Sequence, residues 1–170
     1  MATTNTPKII ATRFAEALID KLSLTTAQVG VWAAADGSAQ GLPPFSIQVV
    51  PGGLSPAGGD QDGDRGLYVR QTFDLVMFFT LNVDLPDRSE QLLTKDAEGT
   101  LDMAERIREV FAFTYLGNAS LEKIRFEGET PTAWIDSERG IVMRTISFSA
   151  VWMMRWSGNQ QSVDLPSWNV

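Results

Sequence analysis

Three aspartates at alternate positions, Asp60, Asp62 and Asp64 in the run DQDGDRG, come nearest in this chain to residues whose type and spacing could do chemistry. Alternate carboxylates are how a calcium loop presents oxygen to a hard cation. The pattern then departs from such a loop. Its glycine is due directly after the third aspartate, where Arg65 stands, and its closing bidentate glutamate is due where Gln71 stands. A solvated acidic segment is the simpler reading, and no metal site is assigned. The absence of cysteine and histidine removes thiolate sites, disulfides, the commonest acid–base group and the commonest zinc ligand. No P-loop, GxGxxG turn or GxSxG elbow occurs, so phosphate cradles, dinucleotide turns and hydrolase nucleophiles lack support. Asn118, Ala119 and Ser120 spell a glycosylation acceptor, but without an export signal they read as a turn. Among 21 acidic residues the sequence singles out no acid–base pair. No catalytic residue and no cofactor is predicted.

Aromatic and cationic residues offer contacts instead. Trp152 and Trp156, with Trp134, Met153 and Met154, could line a ligand pocket or stack on single-stranded nucleic acid. Trp152 and Trp156 extend an apolar face begun by Val142, and this favours a place in the core. Arg144 interrupts that face; a guanidinium there needs a carboxylate or carbonyls, so it is expected where the strand leaves the core, at a neighbour or at the sheet edge. Arg70 and Asp74 lie on the polar side of another strand and could pair across a subunit boundary. The candidate interface residues are therefore Asp60, Asp62, Asp64, Arg65, Arg70, Asp74, Arg144, Arg155 and Trp168.

The elements that would position these residues follow from periodicity. Thr6 and Pro7 start a helix over 7–22, with Ile10, Phe14, Ala17 and Leu18 at helical spacing. A short strand is expected at 45–50 between Pro44 and Pro51. The stretch 51–66, with six glycines, two prolines and three aspartates, is expected to be a long flexible loop. Residues 67–83 alternate as one long strand with one buried and one wet face: Leu67, Val69, Phe73, Leu75, Met77, Phe79, Leu81 and Val83 against Tyr68, Arg70, Thr72, Asp74, Thr80 and Asn82, with Gln71 interrupting the apolar side. Leu93, Ala97, Leu101, Ala104, Ile107 and Phe111 mark a second helix expected to end near Gly117; Gly99 weakens its middle, so a regular helix starting after Gly99 is an alternative. Short strands at 123–127 and 132–135 and a turn at 137–140 lead into a second long strand over 140–156. The tail at 157–170 keeps Val163, Leu165 and Trp168 as anchors.

The whole chain, 1–170, is thus one α+β domain: an antiparallel or mixed β-sheet with two long strands packed on two α-helices, a glycine-rich loop and an extended C-terminal tail. Each long run holds 17 residues, or roughly 56 Å of straight strand. A globule of this length is only about 40 Å across. The strands must bend or project, and projection points to assembly. A net charge of −7 disfavours nonspecific grip on duplex DNA. It suits a like-charged wall past which DNA slides. No apolar run reaches the ~18 residues of a membrane span, so a soluble, unexported chain is expected.

This order of elements resembles that of the tail-terminator proteins of long-tailed bacteriophages. It comprises a leading helix, a strand, a long glycine-rich loop, the strand LYVRQTFDLVMFFTLNV, the helix DMAERIREVF and the closing strand IVMRTISFSAVWMMRW. The resemblance covers most of the chain and rests on element order and size. It implies a structural virion protein of the tail or neck, assembled from the host cytoplasm as a homo-oligomeric, hexameric ring. Such a ring stops tail-tube growth, docks the head-completion (connector) protein, and lets DNA pass its lumen without specific binding or contact with a membrane. It implies no catalytic residue, metal or cofactor, and it would put the 51–66 loop near the lumen or the tube. Six copies would carry a formal charge of about −42. Two alternatives stand beside it: another neck, connector or baseplate subunit, and a small acidic ligand-binding module or enzyme.

Overall fold

Helix α1, Pro7–Leu22, forms where the sequence supplies both of its ends. The Thr6 hydroxyl accepts the Ile9 N–H at 3.2 Å, and Pro7 occupies the first turn, where a missing N–H costs nothing. At the other end Ser23 turns left-handed, at φ 56°, and Leu24 N–H donates to the Ile19 carbonyl at 3.1 Å. Ile10, Ala11, Phe14, Ala15, Leu18 and Leu22 fall on one stripe and are buried. The protein was examined as a computed structural model that describes residues 6–32, 45–57, 67–81, 100–112 and 121–154.

The other elements are β1 (Val29–Val31), β2 (Phe45–Pro56), β3 (Leu67–Thr80), helix α2 (Thr100–Ala112), β4 (Leu121–Glu129), β5 (Ala133–Asp136) and β6 (Ile141–Met154). The strands form one mixed sheet in the order β1-β2-β3-β6-β4, with β5 lying along the far end of β6. β1 runs parallel to β2, and the remaining pairs are antiparallel. The fold is therefore α+β, with six strands and two helices among the described residues. β3 and β6 hold 14 residues each among those described; positions 82–83 and 155–156 of the alternating runs lie outside the described residues.

Both helices contribute to a single core on one sheet face. Phe14 of α1 stacks on Phe73 of β3, with centroids 4.6 Å apart, and meets Phe111 of α2 at 4.9 Å. Phe111 in turn sets its edge against Phe148 of β6 at 5.1 Å. Offset and edge contacts of this kind add about 0.5–1.5 kcal/mol per pair beyond area burial. Trp152 and Ile146 complete the same face.

Three expectations need correction. β2 does not stop at 50: residues 51–56 continue the strand and are not part of the loop expected over 51–66, of which 58–66 lie outside the described residues. The long β3 supplies a ready ladder, and a bulge between Pro51 and Leu54 absorbs the Gly-Gly pair. The second sheet face is not wet throughout, because Val50, Val76 and Phe78 are buried there with Trp32 and Met143 against them. Leu75 to Phe79 is an unbroken apolar run, which fills both faces of a strand. Finally, the three-residue β1 went unread, being too short for any period to show.

At Gly52 an added Cβ would lie 2.2 Å from Thr72 Oγ1 and 3.2 Å from the Thr72 carbonyl, whereas at Gly53 nothing lies within 4 Å. In urea titrations Gly52→Ala is expected to lose ~1–3 kcal/mol by overpacking, and Gly53→Ala to stay within about 0.5 kcal/mol of the parent. Equal effects would mean that the bulge does not sit over Thr72. Phe14→Ala is expected to cost ~3–5 kcal/mol in the same assay.

Candidate functional site

Polar side chains converge at two places on the sheet. At the first, Glu129, the last residue of β4, accepts from Arg108 Nη1 of α2 at 2.6 Å and from Arg144 Nη2 of β6 at 2.8 Å. Arg144 Nη1 also donates to Thr132 Oγ1 at 3.2 Å. The threonines after β4 bind it to β6: Thr130 N–H donates to the Thr145 carbonyl at 2.9 Å, and Thr145 N–H donates to Thr130 Oγ1 at 3.1 Å.

Arg144 lies opposite Met77 in the ladder and is only 7% exposed, so it sits on the core side of the sheet and reaches toward the β4 edge. A buried guanidinium requires such a carboxylate. The need read from the sequence is met within the chain, by a residue 15 positions away. Its Nε remains buried without a partner. One carboxylate shared by two guanidiniums ties a helix, a central strand and an edge strand together.

The second cluster lies on the face away from the helices. Ser147 Oγ donates to Asp74 Oδ1 at 2.6 Å, and Ser149 Oγ donates to Glu127 Oε1. A carboxylate is a weak base for a serine proton, and the chain has no imidazole to relay one, so these pairs serve to tie β3 and β4 to β6. Arg70 shares that face, and its Nε is buried without a partner.

Of the candidate interface residues, Arg70, Asp74 and Arg144 fall in this framework. Asp60, Asp62, Asp64, Arg65, Arg155 and Trp168 lie outside the described residues, as do most of the glycine-rich segment, the tail at 157–170, Trp156 and the Asn118 triplet. Among the described residues no three acidic side chains are grouped to hold a metal. No helix is long and apolar enough to cross a membrane among them.

Of the exposed apolar residues, the sequence singled out Trp134 and put Tyr68 on the wet face, but not Val31, Leu54, Phe126 or Ile135. Residues 54–56 of β2 pair with β3, and 52–56 are all exposed, with Leu54 44% open; Tyr68 of β3 is 38% open. Phe126 on β4, and Trp134 and Ile135 on β5, are exposed at the opposite side of the sheet. Val31 on β1 is exposed as well. For those on β1, β2, β4 and β5 the exposure goes with a place at the sheet's edge, a property of topology rather than of local pattern; Tyr68 lies on a central strand, on the face away from the helices.

No protein-family model and no curated protein matches this chain. The case for its function rests on its own residues.

Glu129→Ala is expected to cost ~3 kcal/mol, chiefly by stranding the buried Arg144 charge. Arg108→Ala, at a more open position, should cost under ~1 kcal/mol. Pairing Glu129→Ala with Arg144→Met should recover most of the loss. Denaturant melts of the three variants and the parent measure this, and equal costs for the two single truncations at Glu129 and Arg108 would contradict it.

Proposed function

We propose that this chain is a structural ring subunit, a tail terminator at the head–tail junction of a long-tailed phage. In this role it caps the tail tube and offers its other face to the head connector. The observation that carries the reading is the far half of β2: beyond the bulge at 52–53, Leu54 to Pro56 rejoin the ladder to β3, yet every residue from 52 to 56 is exposed. An exposed strand segment beside a buried one, as Leu54–Pro56 lies beside Val69 and Gln71, presents hydrogen-bonded strand with an apolar side chain to another molecule.

Three further features support it. The element order resembles that family's. The acidic charge of −7 suits a passage that DNA must cross without sticking. The polar clusters that are present serve to fasten strands rather than to move protons. In this reading the ring closes through heterologous contacts, which cap a stack without extending it. Leu54 and Tyr68, with Arg70 next to them, are the residues proposed for contact with the tube or a neighbouring subunit.

Electron micrographs of virions assembled without this protein test the reading. Overlong tails lacking heads are expected; headless tails of normal length would assign it to the connector, and normal virions would refute a neck role. Leu54→Asp should reproduce the defect of the deletion while leaving the purified protein's thermal melt within a few degrees of the parent.

A further inference from the structure

We propose that the β4 edge pairs antiparallel with the β4 edge of a second copy of the chain, about a twofold axis through Phe126. β4 ends the strand order, so among the described residues no strand covers its outer side. Its sequence from 123 to 129, KIRFEGE, is antisymmetric in charge about Phe126. Antiparallel self-pairing centred there sets Arg125 opposite Glu127 twice, once on each side of the axis. Centring on Arg125 would face arginine with arginine, and centring on Glu127 would face glutamate with glutamate. Opposite charges directly across a ladder stabilise it, and like charges do the reverse. Glu129 is already held by Arg108 and Arg144, so the Arg125–Glu127 pairs carry the match.

Geometry places the two partners on one side of the sheet. Arg125 stands opposite Ser149 in the β4–β6 ladder, and Glu127 accepts the Ser149 hydroxyl. Two positions apart on one strand, Arg125 and Glu127 share a face by ordinary alternation, and the slip between Phe126 and Gly128 leaves Glu127 without a direct partner on β6. Phe126 is 50% exposed although it touches Phe148 at 5.9 Å, so a second Phe126 across the axis would cover what Phe148 leaves open. Bulges and charges on an edge strand repel arbitrary strands. Here they leave one complementary partner, the same segment reversed. The contact is isologous, with the same patch on both copies. It is separate from the heterologous contacts of a ring, and describes either the free subunit or a join between two rings.

Sedimentation equilibrium over a dilution series at low salt tests the pairing. The wild type is expected to show a reversible monomer–dimer equilibrium that weakens with added salt. Arg125→Glu and Glu127→Arg, each alone, should weaken it at least tenfold. An equimolar mixture of the two should associate again, because both cross pairs are then opposite in sign, and the double variant R125E/E127R should pair with itself. Far-ultraviolet circular dichroism of each variant guards against misfolding, and recovery in the mixture is a readout that misfolding cannot produce. A wild type that stays monomeric, single variants that associate as the wild type does, or a mixture that stays apart would overturn the proposal. Rings that form equally well from every variant would overturn it and leave the terminator reading intact, whereas dimers from a protein whose loss leaves virions normal would do the opposite.

Discussion

Fourteen consecutive residue pairs join β3 to β6 without a slip, from Leu67–Met154 to Thr80–Ile141, and the rest of the molecule is arranged around that ladder. Side chains alternate across a sheet, so a shift of one residue would exchange its two faces. The observed register sets Phe73 opposite Phe148, and both rings then lie within reach of Phe14. Both helices dock where this aromatic patch lies. The same register sets Asp74 beside Ser147 on the far face, and Arg144 opposite Met77 on the core face. Arg144 is then committed to burial, and the carboxylate it needs comes from the end of β4, fastening an edge strand that otherwise pairs through a twice-slipped register.

The two helices and most strands were legible because each writes its own local signal. Thr6 and Pro7 announce α1 by capping chemistry alone, and residues 100–112 adopt the helix that the spacing of Leu101, Ala104, Ile107 and Phe111 marks. The turn at 137–140 was equally plain, ending in Gly140 at φ 72°. What escaped was whatever depends on a distant partner. Residues 51–56 look like loop by composition, with a proline at each end and two adjacent glycines, and become strand because β3 lies beside them to accept their hydrogen bonds. Val76 and Phe78 break the alternation, and only the assembled sheet brings Val50, Trp32 and Met143 beside them. The Glu129 clamp joins residues 15 and 21 positions apart, a separation that no local pattern records.

The exposed apolar residues trace the limits of the core. Leu54 and Tyr68 lie toward one end of the β2–β3 pair on opposite faces, Leu54 opposite the buried Gln71 and Tyr68 on the face of Arg70. Phe126, with Trp134 and Ile135, lies along the two strands that share the outer side of β6. Isolated apolar residues on a surface need no explanation, but groups on strands that still own unpaired backbone groups are chemically equipped for a partner. The polar clusters, by contrast, are satisfied largely inside the chain and act as fasteners. This division, fasteners within and apolar strand outside, is the physical basis for reading the protein as a component of an assembly.

Purified tail tubes incubated with this protein and imaged by cryo-electron microscopy address that reading most directly. Additional density is expected at one end of the tube only, as a closed ring that places residues 52–56 of β2 against the terminal tube subunits or against the adjacent copy. Tubes with bare ends at saturating protein, or protein bound along the tube wall rather than its end, would contradict it.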